Sequence, residues 1–140
     1  MRIMICGSMK FTHDMIAIKK ELDKLGHEAF IPYGAEPHLK NTEFVDNLDD
    51  NLQFCIKNNV MKRNFDLVEQ CDAIFVLNKK RNGVDGYIGT SVLMEMAVAH
   101  HLNKKVFLLS EIPDHNQHRW AHEVRIMQPI FINGDLTQIH

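Results

Sequence analysis

One carboxylate stands in an otherwise apolar segment of the chain. Glu95 lies in Ser-Val-Leu-Met-Glu-Met-Ala-Val-Ala, residues 91–99, where every other position after the serine is apolar. A helix that is apolar on all sides is a buried helix. Burying a carboxylate costs several kcal/mol unless it is paired or protonated. Glu95 is therefore the best candidate for covalent chemistry.

Two local explanations for this carboxylate fail on spacing. A capping box would require Ser or Thr three residues earlier, and that position is Val92. A helix-surface ion pair would require Lys or Arg three or four residues away, and none is there. An ion pair across the fold, with a cation such as Arg2 or Lys10, remains an alternative.

A glycine-containing segment, residues 83–91, comes just before this predicted helix. Free N–H groups and the helix dipole make a helix N-terminus a good site for an anion such as phosphate. A flexible loop with an ordinary Thr or Ser cap would give the same pattern. The candidate ligand-binding residues of this segment are Gly86, Tyr87, Gly89, Thr90 and Ser91.

A second turn, after the first predicted strand, offers backbone N–H groups, a hydroxyl and a cation to a sugar or a phosphate. It could also be a turn that merely needs glycine. Its candidate binding residues are Gly7, Ser8, Met9, Lys10 and Phe11.

Three histidines fall at helical spacing in the predicted last helix, residues 114–127. His115, His118 and His122 would share one face and could in principle bind zinc. A solvated face, or a contact that includes Trp120, explains the same spacing. We expect neither a metal nor a cofactor.

Apolar runs and helical periodicity alternate along the chain. The predicted strands are 3–6, 28–31, 73–77, 105–109 and 129–132, and the predicted helices are 12–25, 43–70 with a break at 58–59, 90–102 and 114–127, with a loop before residue 42. This order predicts a single three-layer α/β domain, residues 1–140, with a doubly wound, Rossmann- or flavodoxin-like parallel sheet. Strand order 2-1-3-4-5 would place a ligand crevice between residues 7–11 and 78–91, beside Asn78.

The bulk composition excludes several classes of function. The net charge is -2 and no basic block occurs, so a nucleic-acid footprint is not expected. No apolar run approaches the roughly 20 residues of a membrane helix, and the first residues do not form a signal peptide. The three cysteines have no close spacing, as in reduced cytosolic proteins. We expect a soluble cytoplasmic protein.

Three segments together resemble a known family, the nucleoside 2-deoxyribosyltransferase-like proteins, which include 2′-deoxynucleoside 5′-phosphate N-hydrolases. They are Ile-Met-Ile-Cys-Gly-Ser-Met-Lys-Phe at 3–11, Cys-Asp-Ala-Ile-Phe-Val-Leu-Asn at 71–78, and Gly-Tyr-Ile-Gly-Thr-Ser-Val-Leu-Met-Glu-Met-Ala-Val-Ala at 86–99. Lys-Lys-Val-Phe-Leu-Leu at 104–109 follows the third, which is the most specific.

The resemblance implies that Glu95 attacks the anomeric carbon of a deoxyribose, as the nucleophile of a retaining glycosidase does. It implies that residues 7–10 and 89–91 hold the sugar and any 5′-phosphate, and that Tyr87 lies near the ligand. The partner would be a small nucleoside or nucleotide, and the chain would form a homodimer or a higher homo-oligomer.

The chain departs from the family at the second acid. An aspartate six residues before the glutamate is replaced by Gly89, and the nearest upstream acid is Asp85. A second aspartate of the family would fall near Asn64, where Asp66 is the closest acid. The leading hypothesis is an N-glycosidic-bond hydrolase or transferase. The alternatives are a nucleotide-binding or sensing module without turnover and a metal-dependent hydrolase.

Overall fold

The computed structural model describes all residues, 1–140, and contains one five-stranded sheet. Its strands are Arg2–Cys6 (β1), Glu28–Phe30 (β2), Ala73–Val76 (β3), Lys105–Leu108 (β4) and Ile130–Phe131 (β5). All neighbouring strands are parallel, in the order β2-β1-β3-β4-β5. The predicted fold class and strand order are confirmed.

Helices cover both faces of this sheet. They are Thr12–Lys24 (α1), Glu36–Lys40 (α2), Leu48–Lys57 (α3), Val60–Gln70 (α4), Thr90–His101 (α5) and Arg119–Ile126 (α6). Two short 3-10 helices, Met9–Phe11 and Thr42–Asp46, lie near the carboxyl end of β1. None of the helices combines the length and hydropathy that crossing a bilayer would require.

Alternation along the central strands divides the core into two layers. Met4 and Cys6 of β1 pack with residues of α4, α5 and α6 on one face. Ile3 and Ile5 pack with residues of α1 and the C-terminal segment on the other. The central strand β3 is buried at all four positions, as expected for a strand covered on both faces.

Two expectations about local structure were wrong. The segment before residue 42 is not all loop, because it contains α2, whose five residues are too few to show a helical period. The last helix begins at Arg119 and not at residue 114, because residues 114–118 form a turn in which Asp114 accepts a hydrogen bond from the Asn116 N–H at 2.9 Å. His115 and His118 therefore precede the helix, and helical spacing does not relate them to His122.

The break between α3 and α4 was predicted correctly. Asn59 adopts a left-handed conformation with φ of 51°, which is uncommon outside glycine and ends the continuous helical path. The two helices consequently turn against each other, and residues from both reach the same cavity.

Candidate active site

A cavity of about 350 Å³ opens near the carboxyl ends of β1 and β3, where the strand order reverses. Its size lies in the range of small-molecule sites, and its position is where doubly wound sheets bind ligands. One side, the sheet wall, comprises Gly7, Ser8, Met9, Arg81, Tyr87, Gly89, Thr90, Ser91, Val92, Met94 and Glu95. The other, the cap wall, comprises Pro32, Gly34, His38, Val45, Leu48, Asn51, Phe54, Cys55, Val60, Met61, Asn64 and Phe65.

Glu95 lies on the sheet wall, on the second turn of α5, with 7% of its surface exposed. Its Oε2 atom has no hydrogen-bond partner. The pairing with Arg2 or Lys10 that the sequence left open is absent, since Arg2 pairs with Glu28 at 3.4 Å and Lys10 with Glu43 at 2.5 Å. The carboxyl group is therefore buried and unpaired.

Burial raises the pKa of Glu95 to about 8. Removal from water disfavours the charged form of the carboxyl group, and no cation nearby offsets this effect. At pH 7 the group is mostly protonated. A carboxylate formed here would be poorly solvated and would interact strongly with any positive charge that develops beside it.

Several donors suited to an anion lie on the same wall. Helix α5 begins at Thr90 without a side-chain cap, so its first N–H groups have no partner within the helix. Arg81 donates from Nη1 to the Ser8 Oγ at 2.6 Å and from Nη2 to an Asp46 carboxylate oxygen at 2.8 Å. A guanidinium, a hydroxyl and a helix N-terminus therefore line one cavity.

Gly7 allows the turn after β1 to approach the next strand closely. A Cβ atom at this position would lie 3.2 Å from the Leu77 carbonyl oxygen and 3.2 Å from Met15 Cε. Packing therefore favours glycine at this position, whatever its relation to a ligand. Of the turn that the sequence singled out, Gly7, Ser8 and Met9 line the cavity.

Lys10 and Phe11 do not line the cavity. The Lys10 ammonium contacts Glu43 at 2.5 Å and Asp46 at 3.6 Å, both in the 3-10 helix Thr42–Asp46. Lys10 consequently joins this helix to the turn after β1. The Lys79 ammonium lies 5.7 Å from the centroid of the Phe11 ring.

Asn78 and Gly86, two predicted binding residues, hold the loops together outside the cavity. The Asn78 amide donates to the Ser110 carbonyl at 2.8 Å and accepts from the Ser110 N–H at 2.9 Å. Gly86 has φ of +71°, and a Cβ there would lie 2.1 Å from the Glu111 carbonyl oxygen. No other residue fits this position, and Tyr87 and Gly89 reach the cavity because the loop turns there.

The two candidate second acids are not brought together with Glu95. Asp66 is half exposed on α4 and pairs with Lys62 at 3.1 Å. Asp85 is exposed and lines a separate shallow depression beside Glu111. Neither lines the cavity, in which Glu95 is the one carboxylate.

The histidines near the last helix also lie outside this cavity. The rings of His115 and His122 are 6.1 Å apart, and His118 packs against Trp120 at 5.7 Å. No group of three or more His, Cys, Asp or Glu residues is arranged to hold a metal ion. Trp120 also contacts the Tyr87 ring edge-on, at 6.3 Å between centroids, and so supports one residue of the sheet wall.

The polar cavity residues that were missed from the sequence include Arg81 and His38. Arg81 follows β3 in the run Lys-Lys-Arg, and a cation at the carboxyl end of a central strand was a usable signal. His38 lies on α2 and is 2% exposed. Nothing in its local sequence marks it, because the short helix that carries it has no visible period.

Comparisons with known proteins give one informative similarity. No model of a known protein family matches the chain, and no curated protein does either. The chain is similar to the solved structure of a Clostridium botulinum CMP N-glycosidase, BcmB, with a TM-score of 0.53 and 14% sequence identity. The similarity covers 96% of this chain and 91% of that one. It establishes a shared fold, which agrees with the fold implied by the family resemblance.

Proposed function

We propose that this protein cleaves the N-glycosidic bond of a nucleoside 5′-monophosphate, with Glu95 as the nucleophile. The observation that carries the proposal is the buried, unpaired Glu95 carboxyl group in the same cavity as Arg81, Ser8 and the N-terminus of α5. These groups match the chemistry of a sugar whose 5′ end bears a phosphate. The fold shared with a CMP N-glycosidase supports this assignment.

In this mechanism the ionised Glu95 attacks the anomeric carbon as the bond to the base breaks. The bonding electrons leave with the base nitrogen, and an ester forms between the sugar and the carboxylate. Water then adds to the anomeric carbon and releases Glu95, so that the OH group goes to the sugar and the proton to the base. The poorly solvated carboxylate stabilises the oxocarbenium-like transition state more than it stabilises the neutral substrate.

The phosphate would lie against the first turn of α5. Free N–H groups and the helix dipole favour an anion at this position. Arg81 can give a phosphate two hydrogen bonds in place of those it now makes to Ser8 and Asp46. These contacts favour a nucleoside 5′-monophosphate over a nucleoside.

Hydrolysis is favoured over transfer to a second base. Transfer needs a group that protonates the departing base and deprotonates the incoming one. Glu95 is the one carboxylate in the cavity, and Asp66 and Asp85 lie outside it. Hydrolysis does not require a second nucleobase to bind in the cavity, and water is therefore the proposed acceptor of the sugar.

The test is a chromatographic assay of nucleosides and nucleoside 5′-monophosphates for released base. We expect free base and sugar phosphate from at least one monophosphate, and a rate at least about 10³-fold lower for Glu95→Gln. Glu69→Gln, which changes an exposed glutamate of α4 outside the cavity, should keep the wild-type rate. Intact substrates across the panel, or wild-type rates in Glu95→Gln, would contradict the proposal.

A binding module without turnover is the second candidate. The raised pKa of Glu95 favours it, because a protonated carboxyl group can donate a hydrogen bond to a ligand at neutral pH. This function predicts that nucleotides raise the Tm of wild type and Glu95→Gln equally while no base is released. Product formation by the wild type would exclude it.

We also propose that the chain acts as a homodimer through an exposed apolar face of α3. Leu48, Leu52 and Ile56 are spaced four residues apart, and 75%, 54% and 66% of their surfaces are exposed. Exposed Met61 and Met94 lie at the cavity beside this face, so that a second copy would cover the cavity entrance. Continuous exposed apolar surface of this kind is typical of contacts between proteins.

Light scattering tests the dimer. We expect a dimer mass for the wild type and a monomer mass for Leu52→Asp. Gln53→Asp, an exposed change on the neighbouring position of the same helix, should remain dimeric. A monomeric wild type, or a dimeric Leu52→Asp variant, would contradict this interface.

A further inference from the structure

Two buried side-chain atoms of this structure have no hydrogen-bond partner, and both belong to residues of the same cavity. One is Glu95 Oε2 and the other is His38 Nδ1. Buried polar atoms are nearly always paired, and an unpaired one destabilises the fold. The fold therefore keeps one such atom on each wall of the cavity, although only Glu95 has a role in the proposed reaction.

The surroundings of His38 offer no alternative partner. Its ring packs edge-on against Phe44, with centroids 5.1 Å apart, and Phe44 packs in turn against Phe54. Burial lowers the pKa of His38, so the ring is neutral at pH 7. A neutral imidazole has one donor nitrogen and one acceptor nitrogen. Nδ1 itself has almost no accessible surface, and neither ring nitrogen bonds a protein group. The ring nitrogen left for a ligand in the cavity is therefore Nε2.

The other polar groups of the cap wall are already engaged. Asn64 accepts a hydrogen bond from the Tyr33 N–H at 2.8 Å and donates one to the Tyr33 carbonyl at 3.3 Å. The Asn51 side-chain oxygen accepts from the Cys55 thiol at 3.4 Å. His38 is therefore the polar side chain of this largely apolar wall that makes no hydrogen bond within the protein.

The division of the cavity indicates which part of a ligand His38 meets. The phosphate and the reacting sugar carbon belong to the sheet wall, where Arg81 and Glu95 lie. The cap wall offers apolar side chains such as Phe54 and Phe65, with one hydrogen-bonding ring nitrogen. A flat heteroaromatic ring with polar atoms on its edge matches that combination.

We infer that His38 binds the base of the nucleotide through a hydrogen bond at its ring nitrogen Nε2 and so determines which bases the enzyme accepts. This inference rests on the proposed function. It assigns the contact with the departing base to His38 of α2, because no carboxylate other than Glu95 lines the cavity.

Two substitutions of His38 test the contact. His38→Phe keeps the aromatic packing against Phe44 and removes the hydrogen bond, whereas His38→Gln keeps a polar atom close to the position of Nε2. We expect kcat/KM for the preferred nucleotide to fall at least tenfold in His38→Phe and to recover most of that loss in His38→Gln, with an altered order of preference among bases. His100→Phe, at an exposed position outside the cavity, should behave as wild type.

Binding measurements separate this inference from the proposed function. In a Glu95→Gln background, His38→Phe should weaken binding of the nucleoside 5′-monophosphate at least tenfold and leave binding of ribose 5-phosphate, which has no base, unchanged. If this binding result is found but the wild type releases no base, the contact between His38 and the base is supported and the proposed enzymatic function is contradicted. If the wild type releases base, and His38→Phe has the same kcat/KM and the same base preference, the inference about His38 is contradicted and the proposed function is retained.

Discussion

The two walls of the cavity differ in how they are built and in what they offer a ligand. The sheet wall begins at the ends of β1 and β3 and on α5, elements that pack into the fully buried core. It carries the ionisable groups, Glu95 and Arg81. The cap wall comes from α2, α3, α4 and the segments beside them, among which α3 has no buried residue. Its polar side chains, which include the neutral His38, carry no charge. Rigid elements therefore hold the groups that need exact placement, and the less buried elements cover the ligand.

The largest expected effect is on folding stability. It compares the unpaired atom of Glu95 on the sheet wall with the unpaired atom of His38 on the cap wall. Between the ordinary pKa of 4.5 and the raised pKa of about 8, folded Glu95 holds a proton that the unfolded chain releases. Stability therefore falls as pH rises through this window. Glu95→Gln, which cannot ionise, should match the wild type near pH 4.5 and exceed it by roughly 3 to 4 kcal/mol at pH 8.

Urea denaturation at the two pH values measures this difference. Glu69→Gln should show no such pH-dependent gain. His38→Phe, on the cap wall, should gain only about 1 kcal/mol, because it removes a neutral unpaired atom. A gain for His38→Phe that exceeds the gain for Glu95→Gln would reverse the comparison between the walls.

The pH dependence of the reaction should be the next largest effect. As a nucleophile Glu95 must be ionised, so kcat/KM for a nucleoside 5′-monophosphate should rise with pH and level off above about 8. The expected increase from about pH 6.5 to about pH 9 is about 30-fold. The second phosphate ionisation, near pKa ~6, is already about three-quarters complete at the start of this range and adds little to the increase. A decrease above pH 8 would instead indicate that Glu95 donates a proton and would contradict its role as nucleophile.

The sequence predicted the sheet wall much better than the cap wall. Strand ends, glycine turns and a lone carboxylate in an apolar helix are local signals, and they located Gly7, Ser8, Gly89 and Glu95. Hydrogen bonds such as that between Tyr33 and Asn64, 31 residues apart, shape the cap wall and leave no local pattern. The sequence therefore predicted the fold and drew attention to Glu95, which lines the cavity, but it did not predict His38.

Amide hydrogen exchange would show whether the two walls also differ in local stability. Helix α5 buries Val92, Glu95, Met96 and Ala99, whereas α3 buries none of its residues. In Leu52→Asp, where contacts between copies are removed, amides of α3 should exchange at least tenfold faster than amides of α5. A bound nucleoside 5′-monophosphate should slow exchange in α3. Equal exchange in the two helices would contradict the distinction between a rigid wall and a less stable cover.

The smallest expected effect concerns the ion pair between Arg81 of the sheet wall and Asp46, the chain neighbour of Val45 on the cap wall. Arg81 contacts Asp46 at 2.8 Å, and a bound phosphate would compete with this carboxylate for the guanidinium. Asp46 is 55% exposed, so the contact is weak. Asp46→Asn should therefore strengthen ribose 5-phosphate binding about threefold, as measured by calorimetry. Glu43→Gln, which removes a carboxylate that pairs with Lys10 outside the cavity, should leave the affinity unchanged. Weaker binding in Asp46→Asn would show instead that Asp46 orients Arg81 towards the phosphate, which would make the cap wall a part of the anion site.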